Sequence, residues 1–186
     1  MDFSELTAKR KSVRQYTGEV PTESEMQYVL AAADNAPCTA NQGFHISVVR
    51  DQDIMREAEI CTARFFGKSG ATHYLYGAPV WIIFSAKLAD SAPANMPVTK
   101  DMVNGVVYWN VGGILQNMML AAENIGLGSC AINTTIVALC DNDSLRQKLM
   151  IPEGYIAIGS TVFGKTDYDF PKREFKNKRF STDYIG

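Results

Sequence analysis

Metal-binding side chains are scarce in this chain. Its 186 residues include two histidines, His45 and His73, and four cysteines, Cys38, Cys61, Cys130 and Cys140. The cysteines lie far apart and no Cys-x-x-Cys pair occurs, so there is little material for a zinc site and no metal is expected. A charge excess is also missing. Eighteen Lys and Arg face twenty Asp and Glu, for a net charge of -2. General nucleic-acid binders and membrane-surface binders carry a basic excess, so no nucleic acid and no membrane is expected as partner. Uninterrupted apolar runs are lacking too. The most apolar stretch, residues 103–122, is broken by Asn104, Asn110, Gln116 and Asn117 and thinned by Gly105, Gly112 and Gly113. A spanning helix rarely carries so many amides. The stretch therefore reads as a buried helix of a soluble protein at a subunit interface, where small residues let another backbone come close. Free thiols and no recognisable signal peptide point to a reducing cytoplasm. No repeat, low-complexity tract or linker interrupts the chain.

What is present suits one globular domain over residues 1–186, with 46% hydrophobic and 20% charged residues. Phe3 and Leu6 predict a short opening helix that ends near a cationic cluster. Thr22-Glu23-Ser24-Glu25 fits a capping box that starts a helix through Met26, Val29, Leu30 and Ala33. Pro37 ends it, because the residue before a proline avoids the helical region. Residues 44–50 read as a strand. Asp51 can cap a helix containing Ile54, Met55, Ala58 and Ile60. Residues 79–86 read as a buried strand, 100–124 as a long helix stopped by Gly126, 129–133 as a short strand, 144–150 as a helix and 155–163 as a strand. This irregular alternation predicts an α+β fold with helices around a sheet. The aromatic tail (Tyr168, Phe170, Phe175, Phe180, Tyr184) is expected to pack, with a partner subunit as the natural surface.

Four stretches can carry chemistry. Lys9-Arg10-Lys11-Ser12-Val13-Arg14 places four cations and a hydroxyl within six residues. Arg offers a planar fork of donors, Lys a point charge and Ser a short hydroxyl, a set that suits a phosphate. Ala36-Pro37-Cys38-Thr39-Ala40-Asn41-Gln42 combines a helix-ending proline with two amides, which suit a heterocycle that both donates and accepts. In Gly126-Leu127-Gly128-Ser129-Cys130-Ala131-Ile132-Asn133 the small residues would let a flat ring approach the backbone. This stretch does not match the dinucleotide fingerprint, which follows a strand and opens a helix. Near the end lie Gly164-Lys165 and Pro171-Lys172-Arg173. Each stretch also has a plain reading, as a solvated helix end, an ordinary loop, a turn or a charged terminus.

Taken in order, these stretches carry a resemblance. Arg-x-Ser-x-Arg at 10–14, Ala-Pro-x-x-x-Asn at 36–41, Gln-Asn-x-x-Leu-Ala-Ala-x-x-x-Gly-Leu-Gly-Ser at 116–129 and Ile-Gly-x-x-x-Phe-Gly at 158–164 recur in this order. The chain resembles the small FMN-dependent nitroreductase family from about residue 6 to residue 175. The resemblance implies an α+β homodimer with a mixed sheet flanked by helices. The long helix would lie centrally at the dimer interface, and a C-terminal extension would reach the partner. It implies two FMN sites, each built from both subunits. Arg10, Lys11, Ser12 and Arg14 would hold the FMN phosphate, ribityl chain and pyrimidine edge. Pro37, Cys38, Thr39 and Asn41 would come from the other subunit. Ser129, Cys130 and Ala131 would lie beside the isoalloxazine, and Lys172 and Arg173, with Lys165, would add cations. Two departures stand out. Cys38 follows the loop proline where the family usually has Ser, and Asn41-Gln42-Gly43-Phe44-His45 lacks the usual Pro-Trp.

The implied activity is hydride transfer from NAD(P)H through flavin N5 to nitroaromatic, quinone or activated enone acceptors in a ping-pong sequence. No protein residue is expected to act as the catalyst, since the chemistry belongs to the flavin. Three alternatives remain open on residues alone. One is a flavin storage or sensor protein with little turnover. Another is a thiol hydrolase using Cys38 with His45 or His73, and the third is an interaction module built on the basic tail.

Overall fold

The computed structural model describes residues 1–38, 43–69, 72–139, 142–169, 171, 173–174 and 181–185. Helix α1 (Phe3–Lys9) opens the chain, and Asp2 caps it by accepting from Glu5 N–H. Helix α2 (Glu23–Asp34) begins with the expected capping box. Thr22 Oγ1 accepts from Glu25 N–H, and Glu25 accepts from Thr22 N–H at 2.8 Å. Strand β1 (Phe44–Val49) leads through the Asp51 cap into helix α3 (Gln52–Phe65) and then strand β2 (Val80–Ala86). The long helix α4 (Lys100–Asn124) follows, capped by Thr99. Gly126, at φ 78°, then turns the chain straight into strand β3 (Leu127–Ala131). This strand starts two residues before the expected one because no loop intervenes. A single-turn helix α5 (Thr134–Val137), not apparent from periodicity, precedes helix α6 (Asp143–Lys148) and strand β4 (Ile156–Lys165).

The strands form one sheet in the order β1-β2-β4-β3. All three neighbouring pairs are antiparallel, so the expected mixed sheet is corrected to an antiparallel one among the described residues. The reason lies in the connection through α4. It carries the chain from β2 to β3 in the same direction but leaves one strand position between them, and β4 fills that gap in the opposite sense.

Helices cover both faces of the sheet. Val80, Ile82 and Phe84 of β2 point to one side, where α2 (Met26, Val29) and α4 (Val111, Ile114, Met118) pack on them. Trp81 and Ile83 point to the other side, toward Met55 and Ala58 of α3, Ile136 of α5 and Leu145 of α6. A strand buried on both faces needs apolar residues at every position. That is why residues 80–84 read as a continuous hydrophobic run rather than an alternation. Each large side chain fully buried this way contributes about 1.5–3 kcal/mol.

Helix α4 has two unlike faces. Val107, Val111, Ile114, Met118 and Ala122 are buried against the sheet. On the opposite face Met102, Tyr108 and Trp109 are exposed, Trp109 to 79%. Aromatics in a long helix commonly pack or border a ligand pocket, and the structure leaves Trp109 and Tyr108 outside the core of this chain. A Cβ added at Gly105, Gly112 or Gly113 on this helix would meet nothing within 4 Å. No helix among the described residues is long and apolar enough to cross a membrane.

Candidate functional site

The cationic segment begins where α1 stops. Arg10 leaves the helical region (φ -52°, ψ 123°) while its N–H still donates to Leu6 O at 3.0 Å. The chain then runs extended across the ends of β3 and β4. Val13 N–H donates to Ser129 O at 2.9 Å, and Thr17 N–H donates to Lys165 O at 3.0 Å. Thr166 Oγ1 donates to Gln15 O at 2.9 Å, and Tyr16 O–H donates to Val13 O at 2.9 Å. Val13 is buried to 3% exposure and anchors the segment.

Gly128 explains how the segment can lie so close. A Cβ there would stand 2.9 Å from Val13 Cγ1 and 3.0 Å from Thr166 Cγ2. The sequence alone assigns this glycine to the approach of a flat ring. The structure corrects it: the Val13 side chain occupies the space, and Gly126 serves as the helix stop.

The two ends of the polypeptide meet here. Arg173 N–H donates to Ala8 O at 3.2 Å, and the Arg173 guanidinium donates to Arg10 O. Lys11 Nζ donates to Pro171 O at 2.7 Å. These contacts span about 160 residues of sequence and bring Arg10, Lys11 and Arg173 together within one protomer.

Arg10 is half-buried, with Nη1 3.9 Å from Met119 Sδ. Burial pushes its guanidinium pKa down and the nearby Arg173 pushes it further down, while Cys130 and Glu123 act the other way. Arg14 is exposed, and its guanidinium lies 5.6 Å from the centre of the Tyr76 ring. A hydrogen bond to Tyr76 is the main cause of its raised pKa, with Cys130 second. Four ion pairs occur among the described residues, and none includes Arg10, Arg14 or Arg173.

Cys130 lies buried under this set. Desolvation pushes its thiol pKa up, and Arg14, a hydrogen bond with Ser12 and Arg10 pull it back. Ser129 is buried beside it and Ala131 is exposed at the end of β3. An adjoining cavity of about 250 Å³ is lined by Lys9, Val13, Glu123, Asp167 and Asp169. Its three carboxylates repel an anion. Burial raises the pKa of Glu123, against the pull of Lys9 and Arg10.

Of the residues expected at the site, the structure brings together Arg10, Lys11, Ser12, Arg14, Ser129, Cys130, Ala131 and Arg173. Lys165 is held elsewhere: its Nζ lies 2.6 Å from Glu25 Oε1 at the start of α2, so it does not join the set as a free cation. Pro37 and Cys38 are exposed at the end of α2. No hydrogen bond or ion pair among the described residues links them to the cationic segment. Thr39, Asn41 and Lys172 lie outside the described residues, as do Phe170, Phe175 and Phe180 of the aromatic tail. Sequence reasoning gives Tyr76 and Met119 no part in the site. Neither carries a local signal for it, because each reaches the segment only through the fold.

Known proteins with similar sequences and structures agree with one another. The chain is 28% identical over 130 residues to the FMN reductase [NAD(P)H] of Bacillus subtilis (strain 168), covering 66% of this chain and 50% of that protein. It is 28% identical over 134 residues to the oxygen-insensitive NADPH nitroreductase of Salmonella typhimurium, covering 69% and 52%. The chain thus spans about half the length of these curated relatives. A nitroreductase with bound FMN from Desulfitobacterium hafniense DCB-2 has the same fold at a TM-score of 0.79 and 21% identity, over 99% of this chain and 100% of that one. A nitroreductase with bound FMN from Bacteroides fragilis NCTC 9343 superposes at 0.75 with 20% identity, over 99% and 100%. The model of the nitroreductase family matches residues 7–165, most of the chain. On its fold and its sequence, the chain belongs to the nitroreductase family.

Proposed function

We propose that the protein binds FMN and uses it to carry electrons from NAD(P)H to a small nitroaromatic, quinone or activated enone. One observation carries this reading: Arg173 folds back onto Arg10, close enough to depress its pKa, Arg14 and Ser12 border the Cys130 thiol, and none of the three arginines has an ion-pair partner among the described residues. Positive charges held together at a cost in repulsion call for an anion, and a phosphate takes bidentate hydrogen bonds from guanidinium groups. The donor set therefore fits a flavin mononucleotide. The names of the relatives, an FMN reductase and an NADPH nitroreductase, support the same class.

In this reading Arg10 and Arg173, with Lys172, hold the phosphate. Ser12 adds a hydroxyl for the ribityl chain, and Lys11 and Arg14 face the pyrimidine edge. Ser129, Cys130 and Ala131 present the end of β3 to the ring. When bound, FMN supplies the redox chemistry, accepting a hydride equivalent from the nicotinamide and returning electrons to the acceptor. The chain supplies orientation and positive potential where negative charge collects. Its buried Cys130 stays a neutral thiol at physiological pH and takes no part as a nucleophile. Donor and acceptor occupy one pocket in turn.

The working unit is a homodimer. Support comes from the open face of α4, where Met102, Tyr108 and Trp109 stand exposed beside glycines that leave room for another backbone. A second copy would bring Pro37, Cys38, Thr39 and Asn41 to each flavin. The free cysteines among the described residues, Cys38, Cys61 and Cys130, suit a reducing cytoplasm.

The visible spectrum of the purified full-length protein tests the cofactor. Yellow colour that heating releases as FMN is the expected result, and a colourless protein that takes up no added FMN overturns the reading. Oxidation of NAD(P)H with a quinone then separates a catalyst from a flavin store or sensor.

A further inference from the structure

Tyr76 sits where a tyrosine is not expected. Its φ is 56°, and apart from glycines it shares a positive φ only with Met150 among the described residues. A bulky side chain in the left-handed region is an outlier, since its Cβ crowds the backbone. Such a conformation persists only where the surroundings over-determine it. Here they do. Leu75 N–H donates to the buried Glu59 Oε1 at 2.7 Å, which ties the turn to α3. Tyr74 N–H donates to Thr72 O at 2.9 Å, Tyr76 N–H to His73 O at 3.3 Å, and Ala78 N–H to Leu75 O at 3.0 Å. Leu75 and Ala78 are buried on either side, to 1% and 0% exposure. Gly77 continues the left-handed turn at φ 67°.

This backbone aims the Tyr76 ring at Arg14, whose guanidinium stands 5.6 Å from the ring centre. Arg14 is exposed and belongs to none of the ion pairs among the described residues. Without Tyr76 a long, freely rotating side chain would have to be ordered when a ligand arrives, and ordering such a chain opposes binding. We propose that Tyr76 is a positioning residue that holds Arg14 ready for the electron-rich pyrimidine edge of FMN. The strain at Tyr76 keeps an aromatic face under the guanidinium where glycine would relax the turn. The inference rests on the reading that Arg14 borders the flavin, and the test separates the two.

FMN dissociation constants are measured by fluorescence quenching on the full-length protein. The variants are Arg14→Ala, Tyr76→Gly, Tyr76→Leu and Tyr76→Phe, with Tyr76→Gly and Tyr76→Leu also made in the Arg14→Ala background. Gly relaxes the turn and removes the ring. Leu keeps the strained turn and apolar bulk without a π face, and Phe restores the face. Tyr76→Gly and Tyr76→Leu are expected to weaken FMN binding by about two- to twelvefold, the cost of ordering one long side chain on binding. Tyr76→Phe keeps the ring face but loses the hydroxyl that Arg14 hydrogen-bonds, so its affinity should lie between those of the native protein and Tyr76→Leu. In the Arg14→Ala background the Gly and Leu changes should add less than about twofold, because coupled residues are not additive. Equal weakening in both backgrounds would show a role in packing alone and overturn the proposal. So would full affinity in Tyr76→Leu while Arg14→Ala binds poorly, which leaves Arg14 at the flavin without need of Tyr76. If Arg14→Ala itself binds FMN like the native protein, the placement of Arg14 falls, and the role of Tyr76 with it. Should Tyr76→Gly fail to fold, the Leu and Phe pair decides.

Discussion

Replacing Arg10 with methionine should separate folding from flavin binding. In the free protein Arg10 is half-buried, its pKa is depressed by burial and by Arg173, and its guanidinium rests on Met119 Sδ at 3.9 Å. No carboxylate among the described residues is within ion-pair distance of it. Methionine would lie along Met119 as an apolar neighbour and remove both the desolvation and the repulsion. Exchanging a poorly compensated charge for a hydrophobe of similar length is often neutral or stabilising, here by up to about 1 kcal/mol. For a domain of this size that is a rise of about 2–4 °C in melting temperature. The holoprotein should behave oppositely. A hydrogen bond to a charged group contributes about 1.5–3 kcal/mol, and losing it weakens FMN binding by about 10- to 150-fold. Differential scanning fluorimetry without FMN and fluorescence titration with FMN measure the two sides. The native protein should also lose affinity faster with added salt than Arg10→Met, since one cationic contact is gone. An Arg10→Met protein that binds FMN within threefold of the native one would refute the phosphate assignment.

Two other outcomes follow from the same geometry. Gly128→Ala drives a methyl to 2.9 Å from Val13 Cγ1 and 3.0 Å from Thr166 Cγ2. It should cost about 1–3 kcal/mol and lift the cationic segment, lowering both melting temperature and FMN affinity. A Gly128→Ala protein that melts and binds FMN like the native one would disprove the close approach. The third outcome concerns pH. The pKa of Glu25 is lowered by Lys165 and by the Thr22 N–H, and that of Lys165 is raised by Glu25. The contribution of Glu25 is complete above its unfolded value of about 4.3 and is lost as pH falls through its lower folded value. The contribution of Lys165 is complete below about 10.4 and is lost as pH rises through its higher folded value. The melting difference between the native protein and Glu25→Gln should therefore hold from about pH 5 to 9 and shrink on acidification. A difference that persists unchanged at pH 3 would show that the pairing is not its source.

Signals carried within one turn of chain are legible in the sequence itself. Thr22 and Glu25 make a capping box because they stand three positions apart, and Asp51 caps α3 by accepting from the N–H groups two and three positions on. The long helix and its stop at Gly126 follow from periodicity and a left-handed glycine. The Arg10, Ser12 and Arg14 cluster is legible because neighbouring side chains cannot separate far. Lys165 misleads for a converse reason. Sequence shows a cation, but only the packing of α2 beside the end of β4 shows the Glu25 carboxylate that claims it. Gly128 suggests a ligand because nothing local reveals that Val13 lies over it.

The residues alone determined the helices other than α5, the strands to within about two residues, the cationic segment and the likeness to a flavoprotein family. All of these depend on order and short spacing. Tertiary structure alone decided that Arg173 returns to Arg10, that Tyr76 lies under Arg14, and that one strand slot between β2 and β3 makes the sheet antiparallel. Such meetings join groups tens to more than a hundred residues apart. Their distances are set by how the sheet and its covering helices close on the core, and no local preference encodes that.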